Sequence, residues 1–147
     1  MRHGIGIFTW PDGEIYEGDF AEDFRSGNGT YHFFNGDIYV GEFLRGERHG
    51  FGIQSYVDGG TYEGHWQNSS KHGFGKQTYP NGDIYEGDFD KDLRNGNGTY
   101  HYFTGNVYVG EFVDGQREGV NFINILFTTL SVKTFLRSFS LIKMAKE

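Results

Sequence analysis

The sequence repeats itself every 23 residues, and this period constrains the fold more than any other feature. A Tyr-x-Gly-x-(Phe/Trp) segment occurs five times, at Tyr16–Phe20, Tyr39–Phe43, Tyr62–Trp66, Tyr85–Phe89 and Tyr108–Phe112. A Gly-x-Gly pair precedes each copy at the same step, and an Asp-Gly, Asn-Gly or Thr-Gly pair lies between the two. A fixed period of this length is typical of repeat architectures. The chain is therefore predicted to be one short unit copied several times.

Composition excludes several other classes of protein. Glycine accounts for 24 of the 147 residues and aromatic residues for 18%, whereas disordered chains are poor in aromatic residues. There is no cysteine, which excludes a disulfide framework and favours a reducing compartment. The first ten residues lack the apolar core of a secretory signal, so a cytoplasmic location is predicted.

Each unit has the pattern of a β-hairpin. Residues 38–43 alternate between two faces, a loop is predicted at 44–49, and residues 50–56 alternate again before a turn at 57–60. Connections this short leave no room for a crossover helix. The predicted fold is therefore all-β, a single-layer antiparallel meander of 23-residue hairpins.

The two faces of this sheet differ in chemistry. In the predicted register Phe43 lies opposite Gly50 and Gly41 lies opposite Gly52, so that aromatic rings cover glycine backbone. The other face collects carboxylates and is predicted to be solvated; they belong to Glu17, Asp19, Glu42, Glu63, Glu86, Asp88 and Glu111. A single layer has no second layer to cover its rings. The ring face is therefore expected to be covered by a partner, by the C-terminal segment or by another copy.

The repeated unit resembles the MORN repeat (membrane occupation and recognition nexus). The resemblance covers about residues 3–120, as four complete units with a half unit at each end, and the predicted repeat domain is 1–120. It implies a non-catalytic scaffold that binds a helix or an extended segment of a partner protein. Among members of the family, a short chain made almost wholly of repeats is most similar to radial-spoke components of ciliary and flagellar axonemes and to cytoskeletal proteins. The resemblance thus implies a location at the cytoskeleton or cilium.

The partner contact is predicted at mid-sheet, where every unit has both neighbours. The residues chosen are the rings of three consecutive units, namely Tyr39, Phe43, Tyr62, Trp66, Tyr85 and Phe89. The first strand is expected to leave an open edge, and open edges permit self-association.

The segment 121–147 is predicted to be a cationic amphipathic helix, because its apolar residues recur at helical spacing and it contains no glycine. Its charge-free run is too short for a transmembrane span. The segment is expected to cap the sheet, to dock a partner or to contact lipid, through Lys133, Phe135, Leu136, Arg137 and Phe139. A peripheral membrane tether acting through this segment is the alternative function.

Other functions receive no support from the residues. His3, His49 and His72 share one repeat position, but equivalent atoms two strands apart are about 10 Å apart, too far to share one metal ion. The acidic rows lie on an open face that does not desolvate them. The sequence therefore predicts no catalytic residue, no metal and no cofactor. Residues 1–118 carry 9 Lys and Arg against 19 Asp and Glu, which argues against nucleic-acid binding.

Overall fold

The computed structural model describes residues 1–118 and 122–123, and these form one antiparallel sheet. Its strands are β1 (Gly4–Thr9), β2 (Ile15–Ala21), β3 (Phe24–His32), β4 (Ile38–Leu44), β5 (Glu47–Ser55), β6 (Thr61–Gln67), β7 (Ser70–Thr78), β8 (Ile84–Asp90), β9 (Leu93–His101), β10 (Val107–Val113), β11 (Gln116–Glu118) and β12 (Phe122–Ile123). From β1 to β11 the order in the sheet is the order in the chain. The predicted all-β, single-layer antiparallel meander is confirmed.

A short strand pairs with the sheet beyond residue 120, and the domain boundary predicted there stays a prediction. The short strand β12 pairs with β10, with Tyr108 opposite Phe122 and Val107 opposite Ile123. Strand pairing thus continues past residue 120. The predicted amphipathic helix, including its five named residues from Lys133 to Phe139, otherwise lies outside the described residues.

Two kinds of turn alternate along the sheet. One is a five-residue connection, such as residues 33–37 between β3 and β4. The other is a two-residue turn with positive φ at both positions, such as Arg45 (φ 49°) and Gly46 (φ 89°) between β4 and β5. Two positive φ values in succession are those of a type I′ hairpin turn, whose twist matches that of the flanking strands. The loop predicted at 44–49 was therefore too long.

The register confirms one predicted pair and corrects the other. Gly41 lies opposite Gly52 as predicted, but the register shifts beyond this pair and Phe43 lies opposite Arg48 instead of Gly50. The shift is a bulge in β5. The glycine that faces Phe43 is Gly27 on the preceding strand. In every unit the aromatic residue faces a glycine of the strand before it, in the pairs Phe20–Gly4, Phe43–Gly27, Trp66–Gly50, Phe89–Gly73 and Phe112–Gly96.

Some carboxylates of the acidic face have a structural task at these bulges. A bulge leaves a backbone N–H without a ladder partner. The N–H of Asn28 donates to Asp19 Oδ2 (2.9 Å), and the N–H of Phe51 donates to Glu42 Oε1 (2.8 Å). The N–H of Asn97 donates to Asp88 Oδ2 in the same way (3.1 Å). This part of the acidic face is therefore bonded to the backbone and not merely solvated.

The five-residue turns are tied to one another by a side chain from the preceding unit. The N–H of Val57 donates to Asp37 Oδ1 and that of Phe103 donates to Asp83 Oδ1, both at 2.9 Å. The corresponding position in the third unit is Pro80, which has no N–H, and the residue in the place of the acid is Gly60. Donor and acceptor are thus absent together, and the turn keeps its shape without a buried orphan group.

Candidate partner-binding face

The core of the sheet is a continuous row of rings on one face, here called the inner ring row. It consists of Tyr16, Phe20, Tyr39, Phe43, Tyr62, Trp66, Tyr85, Phe89, Tyr108 and Phe112. Successive rings meet edge to face, as at Tyr39–Trp66 (5.4 Å between centroids) and Trp66–Tyr62 (5.0 Å). Edge-to-face pairs at this separation are the favoured aromatic geometry. The row therefore links each unit to the next.

The tyrosine hydroxyls of this row are satisfied within their own strand. Tyr39 donates to the carbonyl oxygen of Glu42 (3.0 Å), and Tyr62 donates to that of His65 (2.8 Å). The rings of the first four tyrosines each lie across the glycine two residues along their strand and across a glycine of the next strand; these tyrosines are Tyr16, Tyr39, Tyr62 and Tyr85. Burial raises the pKa of Tyr85 to about 12, so these phenols stay protonated at neutral pH.

The six predicted contact residues are almost fully buried within the chain, and their contact with a partner stays a prediction. Tyr39, Tyr62 and Tyr85 have 0% of their surface exposed, and the other three predicted residues have 3–5%: Phe43, Trp66 and Phe89. The cause is that neighbouring strands and the side chains above cover these rings within the chain. The six residues form the floor of the face, and other side chains form the layer above them.

That layer contains a second series of rings at the repeat spacing, here called the outer ring row. Its members are Trp10, Phe33, Tyr56, Tyr79 and Tyr102, all of them only partly buried and packed on the core. Each one ends or follows a strand at the start of a five-residue turn. The same spacing is present in the sequence, where one aromatic residue recurs every 23 residues just before the turn pair.

A column of cations runs between the two ring rows, and the sequence analysis missed it. Its members are 23 residues apart, at Arg2, Arg25, Arg48, Lys71, Arg94 and Arg117. The guanidinium of Arg48 lies 4.3 Å from the ring centroid of Trp66, and that of Arg25 lies 4.7 Å from the ring of Tyr31. The signal was in the sequence, because one repeat position is basic in all six copies.

The arginines of this column are fixed by the turn of the next hairpin. Nη2 of Arg25 donates to the carbonyl oxygen of Gly46 (2.5 Å), and Nη2 of Arg48 donates to that of Ser69 (2.7 Å). Arg94 makes the same bond to Gly115. The column thus crosslinks successive units while its charge stays in a layer of aromatic rings.

Two clefts open on the ring face, one at its centre and one toward β11. Tyr31 and Tyr100 occupy equivalent positions in two units, whereas the two central units have Gln54 and Gln77 there. A cleft of about 370 Å³ opens at the centre, with Tyr56, Lys71, Gln77, Tyr79, Phe89 and Arg94 among its lining residues. A second cleft of about 440 Å³ lies between Arg94 and Arg117. The central cleft is thus lined by an amide where the cleft toward β11 is lined by the ring of Tyr100.

Lys71 is the one lysine in the column, and its amine lies in the central cleft. Nζ donates to Gln77 Oε1 and lies 4.9 Å from the ring centroid of Tyr62. Burial lowers the pKa of Lys71 to about 8; Asp92 opposes this effect and the charge of Arg48 adds to it. Protonated Lys71 is therefore less favourable in the folded chain than in the unfolded chain.

This cost predicts a rise in stability with pH. Between about pH 8 and 10.5 the unfolded chain holds a proton on Lys71 that the folded chain has released, so stability increases with pH across that window. Allowing for the partial exposure of Lys71, we expect the free energy of unfolding to rise by about 1 kcal/mol between about pH 7.5 and 9.5. Urea unfolding at constant ionic strength measures it. The variant Lys71→Arg stays charged, and an equal rise in that variant would contradict the assignment.

Among the described residues, no helix is long and apolar enough to cross a membrane. In the same part of the chain, no three His, Asp or Glu side chains converge in a way that could hold a metal ion.

The first strand, β1, lies at one end of the sheet and pairs with β2 alone among the described residues. Just before β1, the N–H of Arg2 donates to Asp23 Oδ1, and Nη2 of Arg2 donates to the carbonyl oxygen of Asp23. Self-association at that edge stays a prediction.

Comparison with known families gives a match over the whole repeat region. The family described as MORN repeat matches six segments, at residues 1–15, 16–38, 39–61, 62–84, 85–107 and 108–120. Each complete segment runs from one inner tyrosine to the residue before the next, which is the unit seen in the structure. No curated protein matches the chain.

Solved structures give weaker likenesses. The TCP domain of SAS-4 (dCPAP) from Drosophila melanogaster, in complex with a proline-rich motif of Ana2 (dSTIL), is 15% identical with a TM-score of 0.48, over 74% of this chain and 60% of that one. The TCP10 domain of Danio rerio CPAP, in complex with a STIL peptide, is 15% identical with a TM-score of 0.21, over 74% and 70%. The G-box domain of the microcephaly protein CPAP is 20% identical, again with 0.21. Identities and TM-scores this low do not transfer a function.

Proposed function

Because the chain belongs to the MORN-repeat family, whose repeats are protein-interaction modules, we propose that it is a non-catalytic scaffold that holds a segment of a partner protein on its ring face. The observation that supports this proposal is the continuous strip formed by the outer ring row and the cation column. The strip is partly exposed and runs through all the units. Partly exposed Tyr, Trp and Arg side chains are the residue types enriched where proteins bind one another.

The inner ring row contributes indirectly in this proposal. Tyr39, Phe43, Tyr62, Trp66, Tyr85 and Phe89 are the floor that fixes the outer rings and the cations. Tyr56 and Tyr79 stand at the central cleft and make the first contact with the partner. The segment bound is a helix or an extended stretch, lying along the face across the strands.

A setting in a cytoskeletal or axonemal assembly, such as a radial spoke, is part of the proposal and rests on the resemblance to repeat-only members of the family. Imaging of a fluorescently tagged chain in ciliated cells tests it. Diffuse fluorescence with no enrichment at cilium or cytoskeleton would contradict this setting without touching the proposed binding face. The membrane tether acting through residues 121–147 stays a prediction, because no described residue bears on it.

The binding face is tested by site-specific photocrosslinking in cells. A benzophenone amino acid is placed at Tyr56 or Tyr79 on the ring face, and in matched controls at Phe51 or Phe74, which are exposed on the opposite face (44% and 61%). We expect the same partner protein to be crosslinked from both ring-face positions and from neither control. Crosslinking of that protein from Phe51 and Phe74 alone would overturn the proposal.

A further inference from the structure

The cations of this acidic chain are concentrated on its ring face. Residues 1–118 contain nine Lys and Arg, and six of them belong to the cation column; the other three are Arg45, Lys76 and Lys91. The carboxylates of the strands project from the opposite face, where Lys76 pairs with Glu86 (3.0 Å). The ring face is thus a basic strip on a body with an excess of negative charge.

The four interior cations have no carboxylate partner of their own. Among the described residues the ion pairs are Arg2–Asp23, His72–Asp90 and Lys76–Glu86. Arg25, Arg48, Lys71 and Arg94 have mainly rings, backbone carbonyls and an amide around them. The carboxylate of Asp92 acts on Lys71 and Arg48 from the same cleft, but it forms no ion pair with either. A partly desolvated cation without a counter-ion is costly, and a charge-assisted bond to a carboxylate lowers that cost.

The arginines keep donors available for such a bond. A guanidinium carries five N–H donors. Arg25 donates to the carbonyl oxygen of Gly46 and also interacts with the Tyr31 hydroxyl. Arg48 donates to the carbonyl oxygen of Ser69 and to Gln54 Oε1 (2.8 Å). These bonds fix each guanidinium in place, so that a ligand does not have to order the side chain.

The spacing of the column selects a conformation for the ligand. Each unit contributes two strands, so consecutive cations are about 9.6 Å apart along the sheet. In the polyproline II conformation three residues advance about 9.3 Å and complete one turn, which returns every third side chain to the same side. In an α-helix the same distance takes about 6.4 residues, which is not a whole number of turns. A β-strand points the third side chain to the other side.

We propose that the ring face binds an extended, acidic segment in polyproline II conformation, with a carboxylate at every third residue received by Arg25, Arg48, Lys71 and Arg94. This inference rests on the proposed function and names the chemistry of the partner. The outer rings, Phe33, Tyr56 and Tyr79, lie beside the cations and pack on the apolar residues between the carboxylates. Aromatic rows are the usual surface for segments in this conformation.

The test uses synthetic peptides and the full chain. The probe is a fluorescein-labelled peptide of five Glu-Pro-Pro triplets, compared with five Gln-Pro-Pro triplets and with a peptide of the same composition whose glutamates are contiguous. Fluorescence anisotropy should show the first peptide binding at least about tenfold more tightly than either control. Its affinity should fall as salt rises from about 0.05 to 0.5 M. Equal affinity for glutamate and glutamine peptides, or for spaced and contiguous glutamates, would overturn the proposal.

Substitutions in the cation column test whether its side chains bind the peptide. Arg48→Gln and Arg94→Gln should each weaken binding of the spaced peptide about tenfold, whereas Lys91→Gln, which removes an exposed cation at a turn, should leave it unchanged. Circular dichroism shows whether each variant is folded. If Arg48→Gln does not fold, Arg48→Lys, which retains the charge, is measured in its place. Equal weakening by Lys91→Gln would mean that net charge alone governs binding.

The outcome is separable from that of the proposed function. If the benzophenone at Tyr56 and Tyr79 captures a partner while the peptides show no preference for spaced glutamates, the binding face stands and the acidic ligand is wrong. If the partner is captured only from Phe51 and Phe74, both are wrong.

Discussion

Replacing Gly52 with alanine is expected to unfold the middle of the sheet. A Cβ at Gly52 would lie 2.5 Å from Cε2 of Tyr39, and the Tyr39 hydroxyl crowds it as well. Real Cβ atoms do not approach other atoms so closely, and Tyr39 has no free volume to move into because its surface is 0% exposed. Displacing the ring would also break its contacts with Phe43 and Trp66. We expect a loss of more than about 4 kcal/mol in the free energy of unfolding.

The chain contains its own control for this substitution. Gly6 occupies the same repeat position as Gly52, but no inner tyrosine precedes it, and a Cβ there would meet only Phe20 at 3.5 Å, an ordinary contact. Neither glycine has a positive φ, so the two alanines differ only in what surrounds them. Urea or thermal unfolding should show Gly6→Ala within about 1 kcal/mol of the parent chain. Similar losses in the two variants would mean that backbone entropy, not the space for the ring, fixes glycine at this position.

The repeat made most of the fold predictable. Period 23 located the units, alternation within a unit located the strands, and the pair Gly41–Gly52 followed from the pattern. The register of Phe43 was wrong because the bulge in β5 takes up extra residues, and a bulge leaves no mark on the alternation used to find strands. The loop at 44–49 was too long because its turn takes only Arg45 and Gly46, with strand residues directly on either side. Other turns of this type contain no glycine. Glu22-Asp23 is such a turn, with φ values of 50° and 68°.

The candidate site was less predictable than the fold, for a physical reason. In a single-layer sheet, the rings of one face are expected to be covered by something outside the sheet. The inner ring row was therefore predicted to contact the partner. The structure shows that Arg48 lies over Trp66 and that the outer rings pack against the same layer. Covering side chains of this kind come from positions that look polar or turn-like in the sequence. Long cations bury their aliphatic stems on apolar surface, and alternation alone does not place them.

The central cleft of the ring face could also not be predicted from the sequence. Gln54 and Gln77 are nearly fully buried, with 2% and 6% of their surface exposed. In the sequence they are an ordinary variation on Tyr31 and Tyr100. In the structure the tyrosines bond to Glu14 and Asp83, whereas the glutamines bond to the cations of the column. The exchange of a ring for an amide thus changes both the shape and the charge of the cleft.

Trp66→Ala is the second substitution expected to have a large effect, and the effect is on folding before binding. Trp66 has 3% of its surface exposed, meets Tyr39 and Tyr62 edge to face, and donates from Nε1 to the carbonyl oxygen of Gly52 (3.2 Å). Truncating a buried tryptophan costs about 3–5 kcal/mol. In a linear repeat each unit is stabilised by its neighbours, so the loss at mid-sheet should uncouple the units on either side.

Hydrogen exchange can locate this uncoupling. We expect backbone amides of β5, β6 and β7 to lose protection in Trp66→Ala while those of β2 and β9 keep most of theirs. Trp66→Phe is the matched control, because the chain has Phe at the equivalent position in Phe20, Phe43, Phe89 and Phe112, and it should cost less than about 1.5 kcal/mol. A Trp66→Ala chain with the same free energy of unfolding as the parent chain would show that the inner ring row is not the stabilising core. If the expected loss is found, a failure of that variant to bind a partner reports an opened sheet, and Tyr56 and Tyr79 are the positions at which binding is properly tested.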